Sequence, residues 1–242
     1  MATVTKEGLN GAIGAVVFYT MNGKSYARSK PHPESSRHKK KLQHQRNLFG
    51  RVSSLSAGMA SAIRTELNCP FGLHAYNALR GWTYAQYKEN QDSKEWLLQT
   101  NPNRLCELNP GASLQQSLKA GISVEDMGGG RLLIGIDSFN PAKDIKAPAG
   151  AGSLNLKLIC AREIREAGSA SYFVLTLAQY PVAIVNKNLA VIEMELDTHG
   201  SKGDLACLVL AVEFRSGDEH SSGIINNPLF LPAAGMALGK LG

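Results

Sequence analysis

Residues 8–30 show the pattern of a β-hairpin. The run 15–20 is rich in β-branched and aromatic side chains, which favour strands. Asn22-Gly23 follows, and Asn-Gly is the pair most typical of the two-residue turn that joins antiparallel strands. A second short strand over 25–29 completes the predicted hairpin. Alternate side chains of the first strand face opposite sides, with Val16 and Phe18 on one side and Ala15, Val17 and Tyr19 on the other.

The pattern then changes to a helical period. Apolar residues recur at steps of three and four, which predicts one face of a long helix from Ser35 or Ser36 to about Leu67. A second helix is predicted over about 73–89, and a short helical turn near 96–98. The apolar positions of the first helix are Leu42, Phe49, Val52, Leu55, Met59, Ile63 and Leu67, and those of the second are Leu73, Tyr76, Leu79, Thr83 and Tyr87.

From about residue 113 the apolar positions alternate with a period of two. Turn-rich stretches separate at least five such runs, which predicts an antiparallel β-sandwich. Glu193 and Glu195 alternate with apolar residues and indicate a solvated outer face. Within residues 130–215 the predicted buried core consists of Leu156, Leu158, Leu175, Ile192, Leu208, Leu210 and Val212.

These patterns predict an α+β fold in three regions. Residues 1–112 form a β-hairpin arm and a helical region, and residues 113–223 form the β-sandwich. Residues 224–242 form an apolar tail that is broken by proline and glycine. The pattern leaves two interpretations of the tail open, because it packs either on its own domain or on a neighbouring molecule.

Positive charge is concentrated in one part of the chain. The formal net charge is +6, yet residues 24–51 alone carry nine Lys or Arg against a single acid, Glu34. Such a segment attracts nucleic acid, anionic lipid or an acidic protein surface. With nucleic acid, Tyr19 and Tyr26 would add base stacking. A solvated helix start explains the same charges. The candidate polyanion-binding residues are Arg37, Lys39, Lys40, Lys41, Arg46 and Arg51.

Motifs of catalysis and of metal binding are missing from the sequence. It contains no CxxC, HExxH or GxSxG pattern. The carboxylate pairs Glu125-Asp126 and Asp218-Glu219 fall in predicted loops, where such pairs are usually solvated. The sequence therefore predicts no catalytic residue, no cofactor, no metal and no small-molecule substrate. It does not decide whether Cys160 and Cys207, both in strand-like runs, form a disulfide.

No signal peptide and no membrane span is recognised, so the predicted location is the cytoplasm or a particle assembled there.

The segment GLNGAIGAVVFYTMNGKSYARSKP, followed by QHQRNLF, resembles the opening of an uncharacterised family of hypothetical proteins from Bacteroidetes and their mobile elements. The stretch HAYNAL also resembles the second helix of that family. The resemblance covers roughly the first 90 residues, although PHPESSRHKKK differs from the usual linker of the family. It implies an immunoglobulin-like form for the sandwich and brings no known activity. The matching residues are Gly11, Gly14, Gly23, Arg28, Ser29, Lys30, Pro31, Gln43 and Arg46.

The leading expectation is a non-enzymatic structural or assembly protein. A hairpin that is apolar on both faces needs cover on both sides, so the N-terminal arm is expected to join copies into a homo-oligomeric particle, filament or virion component. The first alternative is a non-specific nucleic-acid-binding protein that uses residues 24–51. The second is an enzyme with a site in the sandwich loops. The candidate self-association residues are Val16, Val17, Phe18, Tyr19 and Tyr26.

Overall fold

The computed structural model divides the chain into two compact units, Met1–Leu48 and Phe49–Gly242. It describes residues 3–5, 8–21, 23–30, 36–90, 98, 105–165, 171–217 and 223–242, and it describes no side chains for residues 3–5, 8–9 and 36–41.

The N-terminal unit contains a four-stranded antiparallel sheet in the order β1-β2-β3-β4. Its strands are β1 (Thr3–Thr5), β2 (Gly8–Ile13), β3 (Val16–Met21) and β4 (Lys24–Ser29). The predicted hairpin is confirmed, because Met21 pairs with Lys24 and leaves a two-residue turn in which Gly23 has a φ of 72°. The sequence analysis missed β1 and β2, and it placed Ala15 in a strand although this residue lies in the turn before β3.

Two long helices agree with the helical period. Helix α1 spans Ser36–Glu66 and helix α2 spans Leu73–Asn90. The apolar face of α1 is buried from Val52 to Leu67, but Phe49 is 48% exposed. The proposed Ser35 cap lies outside the described residues, as does most of the predicted turn near 96–98.

The C-terminal unit contains two further antiparallel sheets, so the α+β prediction is confirmed. Strands β6 (Ile122–Gly128), β7 (Arg131–Ile136) and β10 (Ile192–Asp197) form a three-stranded sheet in the order β10-β7-β6. The other sheet has the order β5-β12-β11-β8-β9. Its strands are β5 (Cys106–Glu107), β8 (Ala151–Ile164), β9 (Tyr172–Ala183), β11 (Leu205–Ser216) and β12 (Ala233–Lys240), and the short helices α3 (Leu114–Ser117) and α4 (Pro141–Asp144) lie in the connections.

Two apolar cores lie on opposite faces of the five-stranded sheet. One core joins this sheet to the three-stranded sheet, through residues such as Leu156, Leu210 and Ile134. The other joins it to α1 and α2, through residues such as Ile159 and Met59. The five-stranded sheet is therefore the middle of three layers, which explains why β8 and β11 are buried on both faces.

One of the residues predicted for the buried core is placed differently in the structure. Leu175 lies on the helix-facing side of the edge strand β9 and is only half-buried, whereas the other six residues predicted for the core are buried. Glu193 and Glu195 are exposed, as predicted. The apolar tail packs on its own unit, because β12 pairs with β11.

Candidate functional site

Two tyrosines stack on one face of the N-terminal sheet. Tyr19 of β3 and Tyr26 of β4 are directly opposite in the strand register, and their ring centroids are 5.4 Å apart. The guanidinium carbon of Arg28 lies 5.8 Å from the centroid of the Tyr19 ring. Because Val17 pairs with Arg28, it lies on this same face, which is therefore both aromatic and basic.

On β3 and β4, the opposite face of this sheet combines apolar and small polar residues and carries no charge. Val16 and Phe18 lie there, since alternate residues of a strand point to opposite sides. None of the described side chains of the sheet is buried: Phe18 and Val17 are half-buried, and Val16, Tyr19 and Tyr26 are exposed. The structure thus divides the five candidate self-association residues between two surfaces rather than joining them into one.

The candidate polyanion-binding residues all belong to α1. Arg46 and Arg51 have exposed side chains. The guanidinium carbon of Arg51 lies 5.4 Å from the centroid of the Tyr87 ring. The side chains of Arg37, Lys39, Lys40 and Lys41 lie outside the described part of the chain.

An arginine–aromatic surface on the outside of α1 and α2 was missed by the sequence analysis. Arg80 lies 5.4 Å from the ring centroid of Phe49 and 5.6 Å from that of Tyr76. The Phe49 ring also makes an edge contact with Tyr84, at 6.3 Å between centroids. We call this the helix-pair surface, and it consists of Phe49, Arg51, Tyr76, Arg80, Tyr84 and Tyr87.

Helical spacing in the sequence placed part of this surface on the same helical face as the buried residues of α2. The buried residues of α2 are Ala75, Leu79 and Thr83, whereas Tyr76 and Tyr87 are half-buried and Leu73 is 75% exposed. Within α2, the single arginine, Arg80, lies four residues from a tyrosine on either side, and this spacing was the available signal. Periodicity alone does not separate such a stripe from a buried one.

A buried polar cluster closes the C-terminus of α1. The Lys157 ammonium donates to the backbone carbonyl of Glu66 at 2.6 Å and lies 3.1 Å from the Glu66 carboxylate. Glu213, also buried, lies 3.9 Å from that ammonium and accepts a hydrogen bond from the Asn68 side chain at 2.6 Å. A cation at a helix C-terminus satisfies its unpaired carbonyls and its dipole, so these charges have a structural role.

Glu125 and Asp126 lie in strand β6 and not in a loop as predicted. Asp126 accepts hydrogen bonds from the amides of Gly128 and Gly242, at 2.8 and 2.7 Å. Asp197 accepts one from the His199 amide at 2.8 Å. Asp218 and Glu219 lie outside the described residues. Over the described part of the chain, no group of three or more His, Cys, Asp or Glu side chains is placed to hold a metal ion.

A small cavity opens beside β6 and α3. Its volume is about 120 Å³, and its lining includes Leu105, Leu114, Leu118, Ile122, Met236 and Gln115. Among the described residues, no ionisable side chain lines it.

All four cysteines are buried free thiols. Burial raises the pKa of Cys69 to about 11 and the pKa values of Cys106 and Cys160 to about 12, so these thiols stay protonated at neutral pH. Cys160 belongs to the core between the two sheets, and Cys207 to the core beneath the helices. They therefore lie on opposite faces of one sheet and do not form a disulfide.

Comparisons with protein-family models, with curated proteins and with solved structures found no match. No helix among the described residues is both long enough and apolar enough to span a membrane.

Proposed function

We propose that this chain is a non-enzymatic structural protein whose N-terminal arm, residues 1–30, joins copies into a homo-oligomer. The proposed homo-oligomer is a particle, a filament or a virion component that assembles in the cytoplasm. The observation that carries the proposal is a four-stranded sheet with no buried side chain among its described residues.

A sheet without a core lacks the main stabilising contribution to folding. Hydrophobic burial dominates folding free energy, and small strand assemblies need a packed apolar face to be stable. The arm instead exposes Ile13 and Met21 by more than half, together with Val16, Tyr19 and Tyr26. A second molecule that covers these exposed residues on either face of the sheet would supply the missing burial.

Strand β9 supports the proposal as an acceptor for the arm. It is an edge of the five-stranded sheet, and its twelve residues include no charged side chain. Val174, Leu177 and Tyr180 are exposed along it. Long apolar edge strands without protecting charges are typical sites for the addition of another strand.

Removal of residues 1–30 tests this function. We expect the full-length protein to be oligomeric by sedimentation equilibrium, and we expect the truncated protein to remain folded by circular dichroism and to lose the association that the arm provides. A full-length protein that is monomeric at tens of micromolar would contradict the proposal. An unfolded truncated protein would show instead that the arm stabilises its own molecule.

The second candidate function is non-specific nucleic-acid binding through residues 24–51. The stacked Tyr19 and Tyr26 rings beside Arg28 favour it, because single strands bind to surfaces that combine stacking rings with positive charge.

We also propose that the two C-terminal sheets form an immunoglobulin-like sandwich, as the family resemblance implies. The apolar core that they share supports this arrangement. An experimental structure in which the strands of the two sheets cross at about 30° would agree with it, and a crossing near 90° would not.

A further inference from the structure

We infer that the helix-pair surface of one copy binds the acidic outer face of the three-stranded sheet of a second copy, so that molecules join head to tail. This inference rests on the proposed self-assembly and names a second contact, separate from the arm.

The helix-pair surface has the composition of an interaction site. Arginine and aromatic residues are enriched at the energetically dominant positions of protein interfaces. Arg80 packs on the rings of Phe49 and Tyr76, and Arg51 packs on Tyr87. A guanidinium held against a ring loses little further freedom when it pairs with a carboxylate. Nearby, Leu73 exposes most of its apolar side chain.

The acidic face is defined by the strand register. Glu195 of β10 and Glu125 of β6 both pair with Leu133 of β7, so the two carboxylates flank Leu133 on one side of the sheet. Glu193 and Asp197 follow on the same face of β10 and are exposed. Arg131 is the one basic residue of the three strands, and it lies 3.8 Å from Glu195. The outer face of the three-stranded sheet therefore carries four carboxylates and a single guanidinium.

Charge complementarity selects a carboxylate-bearing partner for the helix-pair surface. Residues 49–90 contain four basic residues, Arg51, Arg64, Arg80 and Lys88, against Glu66 and Glu89. Base stacking is a weaker alternative, because the faces of the Phe49, Tyr76 and Tyr87 rings that meet Arg80 and Arg51 are already occupied. Arginine forms paired hydrogen bonds with carboxylates, and the acidic face carries four of them.

These two surfaces cannot meet within one molecule. The helices cover one face of the five-stranded sheet, and the three-stranded sheet covers the other. Their outer surfaces therefore lie on opposite sides of the C-terminal unit. Contact between two different surfaces is heterologous, and it produces rings or open chains rather than closed dimers.

Neutralisation of each surface in the full-length protein tests the inference. One variant carries Arg51→Gln and Arg80→Gln, and the other carries Glu193→Gln and Glu195→Gln. Each is expected to weaken association by about tenfold or more in sedimentation equilibrium at low salt. With Val16→Lys and Tyr19→Lys added to both variants to remove the arm contact, a mixture of the two is expected to form 1:1 pairs that do not grow, because each retains one intact surface. Arg64→Gln with Lys88→Gln removes the same charge from the same helices, and this control is expected to associate like wild type.

Three outcomes would overturn the inference. They are variants that associate like wild type, a mixture that forms no 1:1 pairs, and Arg51/Arg80 neutralisation that lowers heparin binding without changing the mass. A full-length variant with Val16→Lys and Tyr19→Lys tests the arm separately. If only this variant dissociates, the result supports assembly through the arm and contradicts the head-to-tail contact. If only the neutralised variants dissociate, the result supports the head-to-tail contact and contradicts assembly through the arm. Thermal unfolding of every variant checks that it is folded.

Discussion

Lys157 shows that the alternation of apolar and polar residues can make a buried charged side chain look solvated. In the sequence it alternates with leucines and has the pattern of a solvated position. In the structure it is buried, and it caps the last turn of α1 through the Glu66 carbonyl. A buried charge is tolerated only with partners, and those partners lie about 90 residues earlier in the chain and on a neighbouring strand. No local pattern could have identified them.

The buried thiols lead to a prediction about stability at high pH. In an unfolded chain a thiol ionises near pH 9, whereas burial raises the pKa of Cys160 to about 12. The unfolded state therefore loses the proton first, and the free energy of unfolding falls as the pH rises from about 9 to about 12. Urea unfolding from pH 8 to 11 is expected to show this decline. Cys160→Ala removes one such thiol and is expected to make the decline shallower; an unchanged slope would contradict the prediction.

Among the elements, α1 depends on a glycine for its close approach to β9. A Cβ atom at Gly58 would lie 2.5 Å from Cε2 of the Phe173 ring, whereas nothing lies within 4 Å of the same position at Gly50. Both glycines occur inside one helix, where glycine is unfavourable relative to alanine. The two positions therefore separate helix propensity from packing.

Alanine substitutions at these two glycines are expected to have opposite effects. Gly50→Ala is expected to raise the free energy of unfolding by about 0.5–1 kcal/mol, because it improves helix propensity. Gly58→Ala is expected to lower it by about 1–3 kcal/mol, because the added methyl group displaces the Phe173 ring. Urea denaturation measures both. Stabilisation by Gly58→Ala would show that α1 packs less closely on β9.

A comparison of individual strands shows how much of the fold the sequence predicts. Strand β10 alternates strictly and was predicted correctly, because only one of its faces is covered. Strands β8 and β11 are covered on both faces, so their polar positions do not mark solvent. Strand β12 was missed because it consists largely of small residues. Gly235 within it lies so close to Trp82 and Cys106 that a Cβ atom would be 3.3 Å from each. Which sheet covers which depends on contacts far apart in sequence.

The candidate surfaces were predictable to a smaller extent. The aromatic and apolar character of β3 and β4 was visible in the sequence, because neighbouring strands bring Tyr19 and Tyr26 together through a short turn. The helix-pair surface was not visible, since it requires α1 and α2 to lie side by side with Arg80 between Phe49 and Tyr76. Surfaces built within one hairpin can be inferred from local spacing, whereas those built between helices require the tertiary fold.

Charge is distributed unevenly over the whole molecule. Residues 1–48 contain nine basic residues against Glu7 and Glu34, whereas residues 91–242 contain thirteen basic and sixteen acidic residues. A single positive segment on an otherwise nearly neutral chain is the arrangement that retains polyanions without reading their sequence. If residues 24–51 bind polyanions as proposed, the salt dependence of binding measures how many phosphates they contact.

Neutralisation of Lys39, Lys40 and Lys41 to glutamine is expected to weaken polyanion binding in a salt-dependent manner. Each lost phosphate contact lowers the slope of log affinity against log salt by about 0.9, so the three together lower it by up to about 2.7. Fluorescence anisotropy with DNA of several sequences measures this slope. Lys143→Gln, Lys146→Gln and Lys202→Gln form a matched control with three exposed lysines, and the slope is expected to remain as in wild type. If the wild-type protein retains neither DNA, RNA nor heparin at low salt, the basic segment is only a solvated helix start.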